Sequence, residues 1–175
     1  MRIFTAVEIP EEAKLSIYNA IKNINTKAHV KWVIKDNFHI TLKFFGEVKS
    51  LPSLENVLKD ACNYFEPFNV SLSGLGAFPS KSRVKVLWIG LGEGENELKN
   101  IYKNIEDKIV DLGFKKEKRD YTPHITIGRI KKGILKFPEI EFSYPPFPAT
   151  KITLFESILK PSGPIYRIIN RFPEV

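Results

Sequence analysis

Two histidines head matching tetrapeptides in this chain, His39-Ile40-Thr41-Leu42 and His124-Ile125-Thr126-Ile127. Imidazole titrates near pH 6.5, so two rings facing each other can hold one proton between them, a base beside an acid at neutral pH. In-line displacement at phosphorus needs that division: one group activates the attacking oxygen while the other protonates the leaving oxygen. A threonine two residues on adds a hydroxyl beside each ring, suited to a non-bridging phosphate oxygen as negative charge develops. One His-x-Thr is usually a half-buried histidine with a hydrogen-bonding neighbour. Two copies in similar surroundings point to shared chemistry.

Strands must carry both pairs. The runs HITLKFF and HITIGRI alternate with period two and are rich in β-branched and aromatic residues. Residues i and i+2 of a strand share a face, so His39 and Thr41 face one way and Ile40, Leu42 and Phe44 the other, toward the core. His124 and Thr126 are backed likewise by Ile125 and Ile127. By the same alternation Lys43 falls on the His39 face. Arg129 falls on the Ile127 face, and only a bulge would turn it toward the histidines.

The other elements follow from periodicity. Strands are predicted over 2–8, 29–33, 68–75, 84–91, 152–159 and 165–172, with helices over about 11–24, 52–65 and 95–112. Gly113 is the stop of the third helix. GAFPSKSR (76–83) reads as a loop, and the proline-rich stretch after Gly133, with Pro138, Pro145, Pro146 and Pro148, as a meandering one. Strands outnumber helices and fall into hairpin-like pairs, which gives an α+β class with two antiparallel sheets flanked by helices. Each half holds a helix and a histidine strand. The expectation is one bilobal, duplicated domain over 1–175, its lobes about 1–93 and 94–175 with room for strand exchange.

Composition narrows the function classes. No apolar run reaches 18 residues, which predicts no membrane span. Cys62 is the single cysteine, so no internal disulfide or multi-cysteine metal site is expected. With no secretory pattern in MRIFTAVEIP, a cytoplasmic location is expected. Neither histidine has a second ligand at H-x-H or H-E-x-x-H spacing, so no metal is predicted. No G-x-S-x-G elbow or phosphate loop occurs. The net charge of +7 fits a polyanionic partner. Lys81, Arg83 and the run Lys115–Arg119 are candidates to follow a nucleic-acid backbone. Phe4 and Tyr166 are candidates to stack on a base, and Arg129 and Lys43 to contact substrate. His29, Trp32 and Cys62 read as structural.

Taken together, MRIFTAVEIP, KWV, HITLKFFGEV, LGAFPS, VLWIGL, YTPHITIGRI and ESILKPSGPIYRII resemble the 2H phosphoesterases, in their RNA 2′,3′-cyclic phosphodiesterase branch, formerly labelled 2′-5′ RNA ligase. The resemblance spans nearly the whole chain. It implies two lobes around a central cleft, no cofactor or metal, and opening of an RNA 2′,3′-cyclic phosphate to a 2′-phosphate. His39 would be the proton donor to the leaving 3′ oxygen and His124 the proton acceptor from water, with Thr41 and Thr126 on the phosphate oxygens. The implied partner is RNA, tRNA fragments included, handled by a monomer. Two alternatives stay open: reversible 2′-5′ ligation at the same site, and an RNA-end binding module whose histidines only contact phosphate.

Overall fold

The computed structural model describes residues 1–63 and 65–174. Strands are β1 (Arg2–Glu8), β2 (His29–Trp32), β3 (His39–Glu47), β4 (Phe68–Ser80), β5 (Arg83–Leu91), β6 (Ile125–Lys132), β7 (Ser143–Ala149), β8 (Ile152–Lys160) and β9 (Gly163–Phe172). The helices are α1 (Glu11–Ile21), α2 (Leu51–Cys62) and α3 (Glu95–Ile109). The strands form two fully antiparallel sheets, ordered β3-β1-β8-β9 and β2-β6-β5-β4-β7.

Each helix presents one apolar stripe to these sheets. Ala13, Ile17 and Ile21 bury from α1, Leu54, Leu58, Ala61 and Cys62 from α2, and Leu98, Ile101, Ile105 and Ile109 from α3. They join Ile3, Val7, Ile40, Leu42, Ile125 and Ile127 in one continuous core. Burying side chains as completely as Leu54, Leu58 and Leu98 (each 0% exposed) contributes roughly 1.5–3 kcal/mol apiece. The apolar backs of both histidine strands are thereby fixed inward, which commits their imidazoles to the opposite faces.

Two expectations change. The proline-rich stretch contains β7, not only loop. It lies at the edge of its sheet, where the missing N–H of Pro145, Pro146 and Pro148 interrupts no central ladder, and Phe147 and Ala149 bury in alternation against β4. Residues 76–80 continue β4 instead of looping, and the hairpin turns tightly at Lys81 and Ser82. Gly76 is there for closeness: a Cβ would come within 2.2 Å of the Trp88 ring. The sheets exchange strands between the sequence halves. β8 and β9 join β1 and β3, while β2, β4 and β5 join β6 and β7, so each sheet takes strands from both sides of residue 93.

Candidate active site

Both histidine strands break their ladders at the same point. Between Thr41 and Lys43 β3 advances two residues while β1 advances one, from Ala6 to Thr5, leaving Leu42 as a bulge. Between Thr126 and Gly128 β6 does the same against Trp88 and Leu87, leaving Ile127. Each bulge lies three residues after its histidine and shifts the alternation by one. The fifth residue after each histidine therefore returns to the imidazole face: Phe44, opposite Phe4, and Arg129, opposite Val86. The bulge that Arg129 required is present.

These faces meet at a cleft of about 680 Å³ whose lining includes His39, Thr41, Phe44, His124, Thr126, Arg129 and Tyr166. His39 donates from Nδ1 to the Asn37 carbonyl at 2.6 Å, and His124 from Nδ1 to the Thr122 carbonyl at 2.6 Å. A carbonyl can only accept, so both neutral rings keep their proton on Nδ1 and leave Nε2 free as base or, once protonated, acid. The His39 Nε2 accepts from the Thr41 hydroxyl at 2.6 Å. Asn37 is itself tied down, its side-chain amide donating to the Pro164 carbonyl at 2.9 Å. Nothing in the local sequence pattern around Asn37 signals this supporting role.

Aromatic rings wall each imidazole. Phe4 and Tyr166 lie 5.1 and 5.3 Å from His39, centroid to centroid. Phe78 and Trp88 lie 5.0 and 5.6 Å from His124. Burial in such surroundings disfavours the imidazolium. It pushes His39 down to about 4, helped by the positive charges of His124 and Lys14 and opposed by the Asn37 hydrogen bond. It also lowers His124, where Arg129 adds repulsion. An arriving phosphate would favour the proton on either ring.

The remaining sequence candidates divide. Lys43 lines the cleft but its charge is engaged: the bulge sets it opposite Thr5, and its ammonium is 2.6 Å from Glu106 of α3 and 3.5 Å from Glu117. Phe4 offers no face to a base, because it is 0% exposed beneath His39, Phe44, Phe155 and Tyr166. Tyr166 does reach the lining. Trp32, read as structural, lines the cleft as well as packing over Gly128, where a Cβ would come within 2.9 Å of its ring. His29 is exposed on β2. Cys62 is fully buried, and burial pushes its thiol up to about 12. Lys116 pairs with Asp107 at 2.7 Å, and Lys81 sits 5.0 Å from the centre of the Phe137 ring.

Sequence reasoning also missed Phe44 and Tyr121. Phe44 is 55% exposed on the cleft face, an open platform for a base; strict alternation had put it among the core residues. Tyr121 stacks on Tyr102 at 4.4 Å and donates its hydroxyl to the Thr41 carbonyl at 2.8 Å. No local pattern foretells that contact across the fold. Among the described residues, no three His, Cys, Asp or Glu side chains group as a metal site, and no helix is long and apolar enough to cross a membrane.

A family model described as the 2′-5′ RNA ligase superfamily matches residues 13–135. A Methanocaldococcus jannaschii protein named RNA 2′,3′-cyclic phosphodiesterase is 39% identical over 98% of this chain and 100% of its own. One of the same name from Archaeoglobus fulgidus is 35% identical over 98% of this chain and 99% of its own. Among solved structures, Thermus thermophilus TT0787 matches with a TM-score of 0.87 at 26% identity, covering 98% of this chain and 97% of that one. Escherichia coli LigT complexed with 3′-AMP shares the fold, with a TM-score of 0.79 at 24% identity and coverage of 98% and 96%. Two bulged strands that turn paired His-x-Thr motifs toward one cleft thus belong with a matching family model and near full-length relatives: this chain is a member of the 2′-5′ RNA ligase superfamily, in its RNA 2′,3′-cyclic phosphodiesterase family.

Proposed function

We propose that the chain hydrolyses RNA 2′,3′-cyclic phosphate ends to 2′-phosphates by acid–base catalysis between His124 and His39. The observation that carries this reading is the pair of Nδ1–H bonds to backbone carbonyls, which leaves the Nε2 atom of each neutral ring without a proton and directed to proton transfer in one cleft. His124 takes a proton from water as the water oxygen bonds to phosphorus. The P–O3′ bond breaks on the opposite side, and His39 gives its proton to O3′. Thr41 and Thr126 donate to the non-bridging oxygens, the Thr41 hydroxyl turning from His39 Nε2 once that nitrogen is protonated. A proton passing from His124 back to His39 closes the cycle. An imidazolium destabilised by burial is a strong acid, which suits protonation of an alkoxide leaving group.

Ligation is the same chemistry with a 5′-hydroxyl in place of water, and the matching family's description carries that second reading. An RNA oligomer ending in a 2′,3′-cyclic phosphate, incubated in excess EDTA without ATP, tests the proposal. Hydrolysis to a 2′-phosphate is expected, with kcat lowered about 10²- to 10⁴-fold by His39→Ala or His124→Ala. A 3′-phosphate product, a requirement for metal, or RNA bound but left uncleaved would overturn it, the last in favour of a binding module. Joining to an added 5′-hydroxyl RNA would establish the ligase direction.

A further inference from the structure

The cleft has a second chemical feature that the two-histidine reaction does not use. Arg129 pairs across the ladder with Lys31 of β2, and residues directly opposite share a face with Cβ atoms about 4.5–5.5 Å apart. Two like charges set there repel, a cost an anion between them would remove. Lys131 lies two residues beyond Arg129, unpaired at a further irregularity of the ladder between Ile130 and Lys132, and Arg119 comes in from the segment after α3; all four line the cleft. Lys43, Lys99, Lys108, Lys116, Arg167 and Arg171 have carboxylate partners. Among the described residues, Lys31, Arg119, Arg129 and Lys131 have none within ion-pair distance. The acids on the lining are Glu117, which lies 3.5 Å from the Lys43 ammonium, and Asp120.

These cations are arranged in a direction. From His124 into β6 the cleft lining takes in His124, Thr126, Arg129 and Lys131, so the positive charge leads outward from Thr126 for roughly 15 Å at about 3.3 Å per residue. The lining also takes in Phe44, Pro164 and Tyr166 from the other sheet, apolar surface suited to a base. A free cyclic mononucleotide has one phosphate and would occupy only the inner end. A 3′-terminal nucleotide of RNA has further phosphates on its 5′ side that must leave the cleft somewhere.

We propose that Lys31, Lys131 and Arg119 form the track for the RNA backbone on the 5′ side of the reacting end, making polymer ends the preferred substrates over free cyclic mononucleotides. The inference rests on the phosphodiesterase reading above. It assigns the three cations to substrate selection and leaves bond breaking to the histidines.

The test compares a 2′,3′-cyclic mononucleotide with an RNA tetramer ending in the same cyclic nucleotide, using wild type and the triple variant Lys31→Ser, Lys131→Ser, Arg119→Ser. All three positions are exposed, so the variant should fold. Wild type should favour the tetramer in kcat/KM by about tenfold or more at low salt. The variant should lose that preference while its mononucleotide kcat/KM stays within about twofold. The log–log salt slope for tetramer binding should fall by about 2, from three contacts at about 0.7 each. Equal rates on both substrates in wild type, or a variant that weakens both alike or neither, would overturn the track. Turnover of neither substrate by wild type would instead defeat the phosphodiesterase reading. Fluorescence anisotropy with a 2′-phosphate-ended tetramer then still decides the track, through whether the triple variant binds it more weakly.

Discussion

The Tyr121 hydroxyl donates to the Thr41 carbonyl at 2.8 Å, joining the segment before one catalytic-type histidine to the strand that carries the other. Tyr121 precedes His124 by three residues, and Thr41 follows His39 by two. The bond thus fixes the spacing of two motifs that lie in different sheets. Its half-buried phenol, stacked on Tyr102, is held far above its ordinary pKa by loss of solvent, so it remains a donor throughout the accessible pH range. Tyr121→Phe removes the donor and keeps the stack. It should cost about 1–3 kcal/mol in urea unfolding, because the carbonyl loses its partner, and lower kcat more than it raises KM. An unchanged kcat would show that the bond does not set the geometry of the site.

Lys43 and Glu106 form a buried pair, their side chains 5% and 7% exposed. Glu106 also accepts from the Glu117 backbone N–H at 2.9 Å, so the pair holds the segment after α3 against the sheet. Lys43→Met leaves the carboxylate buried without its cation and should destabilise the fold by about 3–5 kcal/mol. Glu106→Leu added to Lys43→Met should recover part of that loss. Equal stability of wild type and Lys43→Met in chemical denaturation would refute the pair's role.

The threonines should act on the reaction and not on the fold. Thr41→Val and Thr126→Val keep the branched shape that suits a strand and delete the hydroxyl. Each should lower kcat/KM by about 10- to 10³-fold, the range for losing one donor to developing negative charge, with melting temperature nearly unchanged. Thr41→Val should in addition raise the pKa-linked limb of His39, since it removes a donor to the neutral Nε2.

Acid should weaken the fold through the two imidazoles. Both are held below their ordinary value by burial, His39 at about 4. Between about pH 6.5 and 4 the unfolded chain therefore binds more protons than the native one. The stability contributed by keeping His39 neutral is complete above about pH 6.5 and is lost as pH falls toward 4, at up to about 1.4 kcal/mol per pH unit. His39→Gln should flatten that slope, measured as urea unfolding at several pH values. A wild type and His39→Gln with parallel slopes would contradict it. For the same reason the alkaline limb of kcat should lie at higher pH than that of kcat/KM, because bound phosphate favours the imidazolium that the empty site disfavours.

Read alone, the chain determined the elements and the chemistry they could carry. Period-two runs around His39 and His124 set an imidazole and a hydroxyl on one face and aliphatics on the other, and helical spacing gave the three helices their stripes. Those are local properties, written in residues two, three or four apart. What lay beyond reach depended on partners distant in sequence. The bulges at Leu42 and Ile127 are two-against-one mismatches with β1 and β5, and no single strand records its neighbour's count. They alone decided that Arg129 and Phe44 face the cleft and that Lys43 turns to Glu106. β7 became a strand despite its prolines because an edge was free beside β4. The exchange of β8 and β9 into the sheet of β1 and β3, and the reach of Tyr121 to Thr41, were settled by packing, where burial of the shared core outweighs any local preference.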